Sequence, residues 1–312
     1  MTVLKNRLGL CCLFQDQSIH FKTITAALAG RLKHTERLRI ISDICRHNAE
    51  SLAAALEYCA THQIGSFRVS SRILPLKTHP QFGYTMTDLP NGDIIVSQFR
   101  NCGRIRKRHG LRATFHPDQF IVPGSPDESV VANSIAELEY QTEVAGWIGA
   151  DVINIHGGGA YGDKTAALRR LTMNLRRLPA AIRRRLTLEN DDRIFTPVDL
   201  FPVCKAVKIP LVYDVHHHRC NPDGLSIEEA TYEALRTWRR EPLMHISSPR
   251  DGWKGAQPFR HHDFIQLRDY PLLWQGIKMT VEVEAKAKEV AIARLRRGLL
   301  RRWKGQQQNF RD

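Results

Sequence analysis

Two hydrophobic periods alternate along this 312-residue chain. Short apolar or β-branched runs recur at "RLGLCCLF" (7–14), "SFRVSS" (66–71), "LRATFHP" (111–117), "VINIHG" (152–157), "LTLEND" (186–191), "LVYDVH" (211–216), "LMHISS" (243–248) and "MTVEVEA" (279–285). Runs of this length and composition predict strands. The longer stretches at 34–62, 127–148, 163–178, 226–240 and 286–304 repeat their apolar residues at three and four, which predicts helices. In the first of them Ile40, Ile41, Ile44, Leu52, Ala55, Leu56 and Cys59 form one stripe. The segment "YTMTDLPNGDIIVSQF" (84–99) fits neither period and reads as an irregular loop. Eight strands alternating with helices predict a single (β/α)8 TIM barrel over residues 1–304, followed by a polar tail over 305–312. A doubly wound sheet is the competing architecture. No Gly-rich dinucleotide fingerprint or phosphate loop opens a helix, which counts against it.

Composition narrows the class. At 42% hydrophobic the chain can bury a core of barrel size. No apolar run approaches the ~20 residues of a membrane span, and "MTVLKNRLGLCCLFQDQ" has no small-residue cleavage pattern. The seven cysteines form no C-x-x-C pair, so they read as reduced, packing thiols in a cytoplasmic protein. A net charge of +14 predicts attraction to polyanions, nucleic acid above all. Much of the excess sits in "RRLTMNLRRLPAAIRRRL" (169–186) and "RLRRGLLRRWKG" (294–305). Taken singly, either run is a solvated helix face.

The chemistry collects at strand ends. A parallel barrel gathers its site at the C-terminal ends of its strands. Those positions carry His116, His156, Glu189, Asp214 with His216–His218, His245 and Glu284. The steps from His116 to His156, Glu189, Asp214, His245 and Glu284 are 40, 33, 25, 31 and 39 residues, each about one strand–helix unit. Any one position alone is an ordinary turn or paired polar group; six together point to one ring of ligands. Imidazole with carboxylate suits zinc, manganese or iron better than an all-oxygen cation. Glu189 could bridge two ions, the arrangement of two-metal phosphodiester chemistry. Glu282 and Glu284 share a strand face, so the interior would hold both. The glycines of "HGGGAYGDK" (156–164) could offer backbone N–H groups to a phosphate, with Lys164 beside them.

The series "RVSSRILPLKTHP", "FHPDQF", "INIHGGGAYGDK", "LTLENDDR", "LVYDVHHHRCNPDG", "MHISSP", "HHDF" and "EAKAKE" resembles, in order, the UV damage endonucleases over roughly residues 7–290. That family is related to the endonuclease IV group of apurinic-site endonucleases. The resemblance implies a TIM barrel with two or three divalent ions, manganese first and zinc or magnesium as alternatives. It implies hydrolysis of the phosphodiester 5′ to ultraviolet photoproducts in duplex DNA, with no obligate protein partner and no membrane. It assigns His116, His156 and Glu189 to one ion, and Glu189, Asp214, His245 and Glu284 to a second. His217 and His261 would belong to a third. Glu189, Glu284 and His245 would carry catalysis. Gln119 and Phe120 would probe the lesion, and Leu10 and Lys164 would touch DNA. Three residues depart from common family choices: Phe120 for tyrosine, Leu10 for an aromatic, and Leu243 for lysine. An apurinic-site endonuclease and a sugar isomerase or epimerase are the alternatives within the fold. A metal-free DNA-binding module is the alternative outside catalysis.

Overall fold

The structure, a computed structural model, describes residues 4–308. Strands β1 Arg7–Cys11, β2 Ser66–Val69, β3 Arg112–Phe115, β4 Val152–His156, β5 Leu186–Glu189, β6 Leu211–Asp214, β7 Leu243–Ile246 and β8 Thr280–Val283 pair in parallel and in chain order. β8 closes on β1 with Arg7 opposite Thr280 and Leu10 opposite Val283. The expected (β/α)8 TIM barrel is therefore the architecture. Each strand occupies the core of its apolar run and stops near the first polar residue.

The helices are α1 Ala26–Arg31, α2 His34–Thr61, α3 Gly92–Arg108, α4 Glu128–Ile148, α5 Lys164–Arg177, α6 Ala180–Arg183, α7 Pro197–Val207, α8 Val215–Cys220, α9 Ile227–Arg236 and α10 Lys288–Gln308. The 84–99 segment departs from the expected loop. Only its first half is irregular, with Thr85 and Asp88 capping each other across a short 3-10 turn. From Gly92 it is helix, and Ile95, Phe99, Cys102 and Ile105 form the buried stripe. The turn residues of "DLPNGD" mask that stripe in the sequence. Gly92 permits it, since a Cβ there would fall 1.7 Å from the Met86 carbonyl oxygen.

Strand alternation divides the interior into two layers. Leu8, Leu10, Phe67, Phe115, Ile153, Leu188 and Met244 belong to a large apolar core that also takes in residues from the helices. The alternate positions face the barrel axis and are mostly polar. Gly9 is one of them: a Cβ there would meet Glu282 Cγ at 2.9 Å, so the missing side chain makes room for that carboxylate. Val152, Val212, Trp238 and Leu243 form a small separate apolar cluster, three of them from the N-terminal ends of the strands or one residue beyond. Leu243 thus packs with valines and a tryptophan, two residues before His245.

Candidate metal centre

Glu189 ends β5 with its side chain 1% exposed, and several imidazoles converge on its two oxygens. His116 at the end of β3 puts Nε2 2.9 Å from Oε2, with its Nδ1 3.1 Å from the Pro117 carbonyl oxygen. A backbone carbonyl on the second nitrogen is the partner that orients a ligating imidazole. His156, ending β4, holds Nε2 3.9 Å from the same Oε2 and keeps a shielded Nδ1 with no hydrogen-bond partner. On the other oxygen, His245 of β7 approaches with Nδ1 at 3.0 Å and His217 of α8 with Nδ1 at 3.4 Å. Asn154, two residues before His156 on the same face, donates to Oε2.

Asp214 supplies the adjacent carboxylate. Its Oδ1 caps the short helix α8 by accepting the His217 N–H at 2.8 Å. Its Oδ2 is fully shielded and accepts no hydrogen bond, with the His217 Nδ1 3.7 Å away. A buried carboxylate oxygen without a donor is costly. A cation relieves that cost, so this atom marks where one fits. Three groups bring their ligand atoms within 4.8 Å of one another: His116, His156 and Glu189; His116, His245 and Glu284; and Glu189, Asp214 and His217.

Beneath this ring lies a charge network. Arg68, inside β2, reaches Glu282 through Nε at 2.6 Å and Glu284 at 2.7 Å. Its Nη2 stands 2.9 Å from the His245 Nε2, and Thr114 donates to the far oxygen of Glu282. Burial would raise the Glu189 carboxyl, but His245, His156 and His116 together hold it well below the usual range. Burial likewise would lower His245, yet Glu189 and Glu282 raise it to about 10. Burial opposes protonation of His217 too, and Asp214, Glu189 and Glu284 raise it to about 9. Burial dominates at His156, which is lowered.

The other expected residues fall as follows. In the triplet 216–218, His218 is satisfied at both nitrogens, by the Tyr213 hydroxyl at 2.7 Å and Asp223 at 2.9 Å. His216 is buried with neither nitrogen partnered, its ring 5.2 Å from that of His261. His261 stands 3.7 Å from Glu284 but joins none of the three ligand groups. His262 instead accepts the Phe264 N–H at 2.9 Å. Lys164 opens α5 and pairs with Asp199 at 2.6 Å. The glycines before it have packing reasons: a Cβ on Gly157 would strike Phe195 at 2.6 Å, and Gly158 has φ +86°. Phe120 is 72% exposed, four residues beyond His116, and Gln119 beside it is exposed.

Leu10 is a correction. It is 0% exposed and belongs to the apolar core, because strand alternation turns it away from the axis that Gly9 faces. It offers DNA no surface. Arg68 and Asn154 were missed in the sequence. Their signal was a charged or amide residue on the inward parity of a strand already carrying site chemistry. A cleft of about 640 Å³ opens beside the centre, lined among others by Cys12, Arg68, Arg250, His261, Glu284 and Lys286.

A family model described as UV-endonuclease UvdE matches residues 6–308. A UV DNA damage endonuclease of Bacillus cereus (strain Q1) is 36% identical over 283 residues, covering 87% of this chain and 86% of that one. The crystal structure of SacUVDE superposes with a TM-score of 0.84 at 28% identity, covering 95% of this chain and 98% of the other. Endonuclease IV from Thermus thermophilus shares the fold, with a TM-score of 0.61 at 17% identity over 95% of this chain and 99% of that one.

Proposed function

Because the chain belongs to the UV-endonuclease UvdE family and is a DNA-repair endonuclease for UV damage, we propose that it hydrolyses the phosphodiester 5′ to a photoproduct in duplex DNA at the Glu189 centre. Cyclobutane pyrimidine dimers and 6-4 photoproducts are the substrates of this reading, and residues 1–304 its catalytic domain. The observation that carries it is the convergence of His116, His156, His217 and His245 on the two oxygens of Glu189.

The residues fit a divalent cation, on the evidence of the unpartnered Asp214 Oδ2 and the imidazole–carboxylate donor set. His116, His156 and Glu189 would hold one ion, and Glu189, Asp214, His245 and Glu284 a second, with Glu189 shared. His217, with His261 3.7 Å from Glu284, would hold a third. Manganese is the ion of this proposal, with zinc and magnesium as alternatives. Ions held there acidify water and draw charge off the phosphate.

The chain's own residues do the rest. Arg68 balances Glu282 and Glu284, so that Glu284 and His245 keep one orientation. Asn154 fixes the Glu189 carboxylate. Phe120, exposed beyond His116, fills the gap left when a damaged pair unstacks, and Gln119 contacts the opened bases. Selectivity follows from the lower cost of opening a base pair that already stacks poorly.

The test is incision of a duplex with one defined photoproduct, against abasic and intact controls, with manganese and with chelator. The expected product is a nick 5′ to the photoproduct, ending in 3′-hydroxyl and 5′-phosphate, absent with chelator. Faster cutting of the abasic duplex would move the assignment to the endonuclease IV activity.

A further inference from the structure

Arg250, Arg260, Lys286 and Lys288 line the cleft beside the ligands, but another part of the basic excess lies away from them. Each helix of the barrel returns the chain to the start of the next strand, so helix C-termini and the residues before each strand share the N-terminal end. The run "RRLPAAIRRRL" (176–186) ends α5, forms α6 and enters β5 there. Next to it, Lys205, Lys208, Arg236, Arg239 and Arg240 surround a cavity of about 380 Å³ floored by Phe201, Ile209 and Pro210. Arg176 Nε donates to the Ala206 carbonyl at 3.3 Å, joining the end of α5 to the end of α7.

Carboxylates on this face are few and taken. Asp151 is 2.9 Å from Arg112 and 3.4 Å from Arg240, Glu241 is 2.9 Å from Arg7, and Glu233 holds Arg236. Among the described residues Lys205, Lys208, Arg184 and Arg239 form no ion pair. The Arg240 Nη2 is shielded from water yet donates no hydrogen bond, and its Nε has only Asp151 at 3.4 Å. Burial lowers Arg240, the Asp151 carboxylate offsets part of that, and the like charges of Arg112 and Arg185 lower it further. A helix dipole favours one or two cations in a last turn, by about 0.3–1 kcal/mol each. It does not account for Lys208, Arg239 and Arg240, which lie past the last turns of α7 and α9.

We propose that this end of the barrel is a second surface for duplex DNA, binding the phosphate backbone without reading sequence while the opposite end works on the lesion. A cationic face whose acids are already paired suits a uniform polyanion rather than a protein with mixed charges. The enzyme could then hold two DNA segments at once, or stay on DNA between lesions.

A short photoproduct duplex is used to saturate the lesion end of the full chain in chelator, and a labelled undamaged duplex is then added. The wild type should bind the second duplex. The triple variant Lys205→Gln, Lys208→Gln, Arg239→Gln should bind it about a hundredfold more weakly at ~0.1 M salt, its log–log salt slope falling by roughly 2.7, at about 0.9 per phosphate contact. Incision of the short photoproduct duplex in manganese should be unchanged, which separates this inference from the assignment of the lesion end. The charge-keeping triple Lys205→Arg, Lys208→Arg, Arg239→Lys should bind like wild type. A wild type that takes no second duplex overturns the proposal, as does a neutral triple that binds it as tightly. Tighter binding of polyglutamate or of phosphatidylglycerol vesicles at this face would overturn the choice of DNA.

Discussion

The two ends of the barrel carry their charge in opposite ways. At the C-terminal end, Glu189, Asp214, Glu282 and Glu284 are drawn out of water and faced by imidazoles and one guanidinium. At the N-terminal end the charges are positive and largely solvated, around the cavity of Lys205, Lys208 and Arg239. Buried charge is directional and little screened, so the first end should respond to protons and to single atoms. Solvated charge is screened within ~8–10 Å, so the second should respond to salt. Net charge alone says only that the chain favours polyanions. Where the charge is desolvated is what tells the two ends apart.

The sharpest break in that contrast is Glu189→Gln. Loss of the shared carboxylate should cut incision about a thousandfold or more, the scale of several kcal/mol of charge stabilisation. Salt-sensitive binding of DNA should remain. Full incision by this variant would remove Glu189 from the centre. Next is Arg68→Met, which strands the buried Glu282 carboxylate and removes one partner of the partly exposed Glu284, and should cost about 3–5 kcal/mol of stability without metal. Urea unfolding in chelator measures it; a change under about 1 kcal/mol would show that water already reaches Glu282.

Metal affinity supplies a third measure. His245, at about 10, and His217, at about 9, carry protons at neutral pH before metal binds. A cation must displace those protons, so affinity rises with pH until both groups are deprotonated. Between about pH 6 and pH 8, manganese affinity should climb by up to two decades per pH unit, with proton release visible by calorimetry in two buffers. A flat profile would detach both histidines from the metal. The smallest effect is expected of Phe120→Ala, which removes an exposed ring that holds up nothing. Discrimination of photoproduct from intact duplex should fall about tenfold, within the range of one stacking contact, at unchanged stability and metal content. Undiminished discrimination would sink the wedge.

The barrel and its six strand ends were legible because each strand run was apolar and then stopped at a ligand-type residue. His116, His156, Glu189, Asp214, His245 and Glu284 do lie on one ring. What was not legible depends on register or on capping. Leu10 needed the parity set by Gly9 against Glu282. Arg68 looked like an ordinary strand residue until Glu282 of β8 and Glu284 just beyond it were placed beside it, past Gly9 of β1. α3 hid behind turn residues, and α8 is a helix because the Asp214 side chain caps it, a bond that a polar string does not display. Of the three adjacent histidines, His218 is satisfied at both nitrogens and His217 is the one that meets Glu189 and Asp214, which a run of three identical letters does not display.

Gly9 carries a last consequence. A methyl group there lands 2.9 Å from Glu282 and 3.1 Å from Ser66. Glu282 would have to leave the Arg68 guanidinium, and Arg68 would then release Glu284 and lean on His245. In a genetic screen for ultraviolet survival, this glycine would therefore score among the intolerant positions while touching neither strand of the DNA. Its tolerance would return only with a compensating change at position 282, so the two sites should be read as one heritable unit.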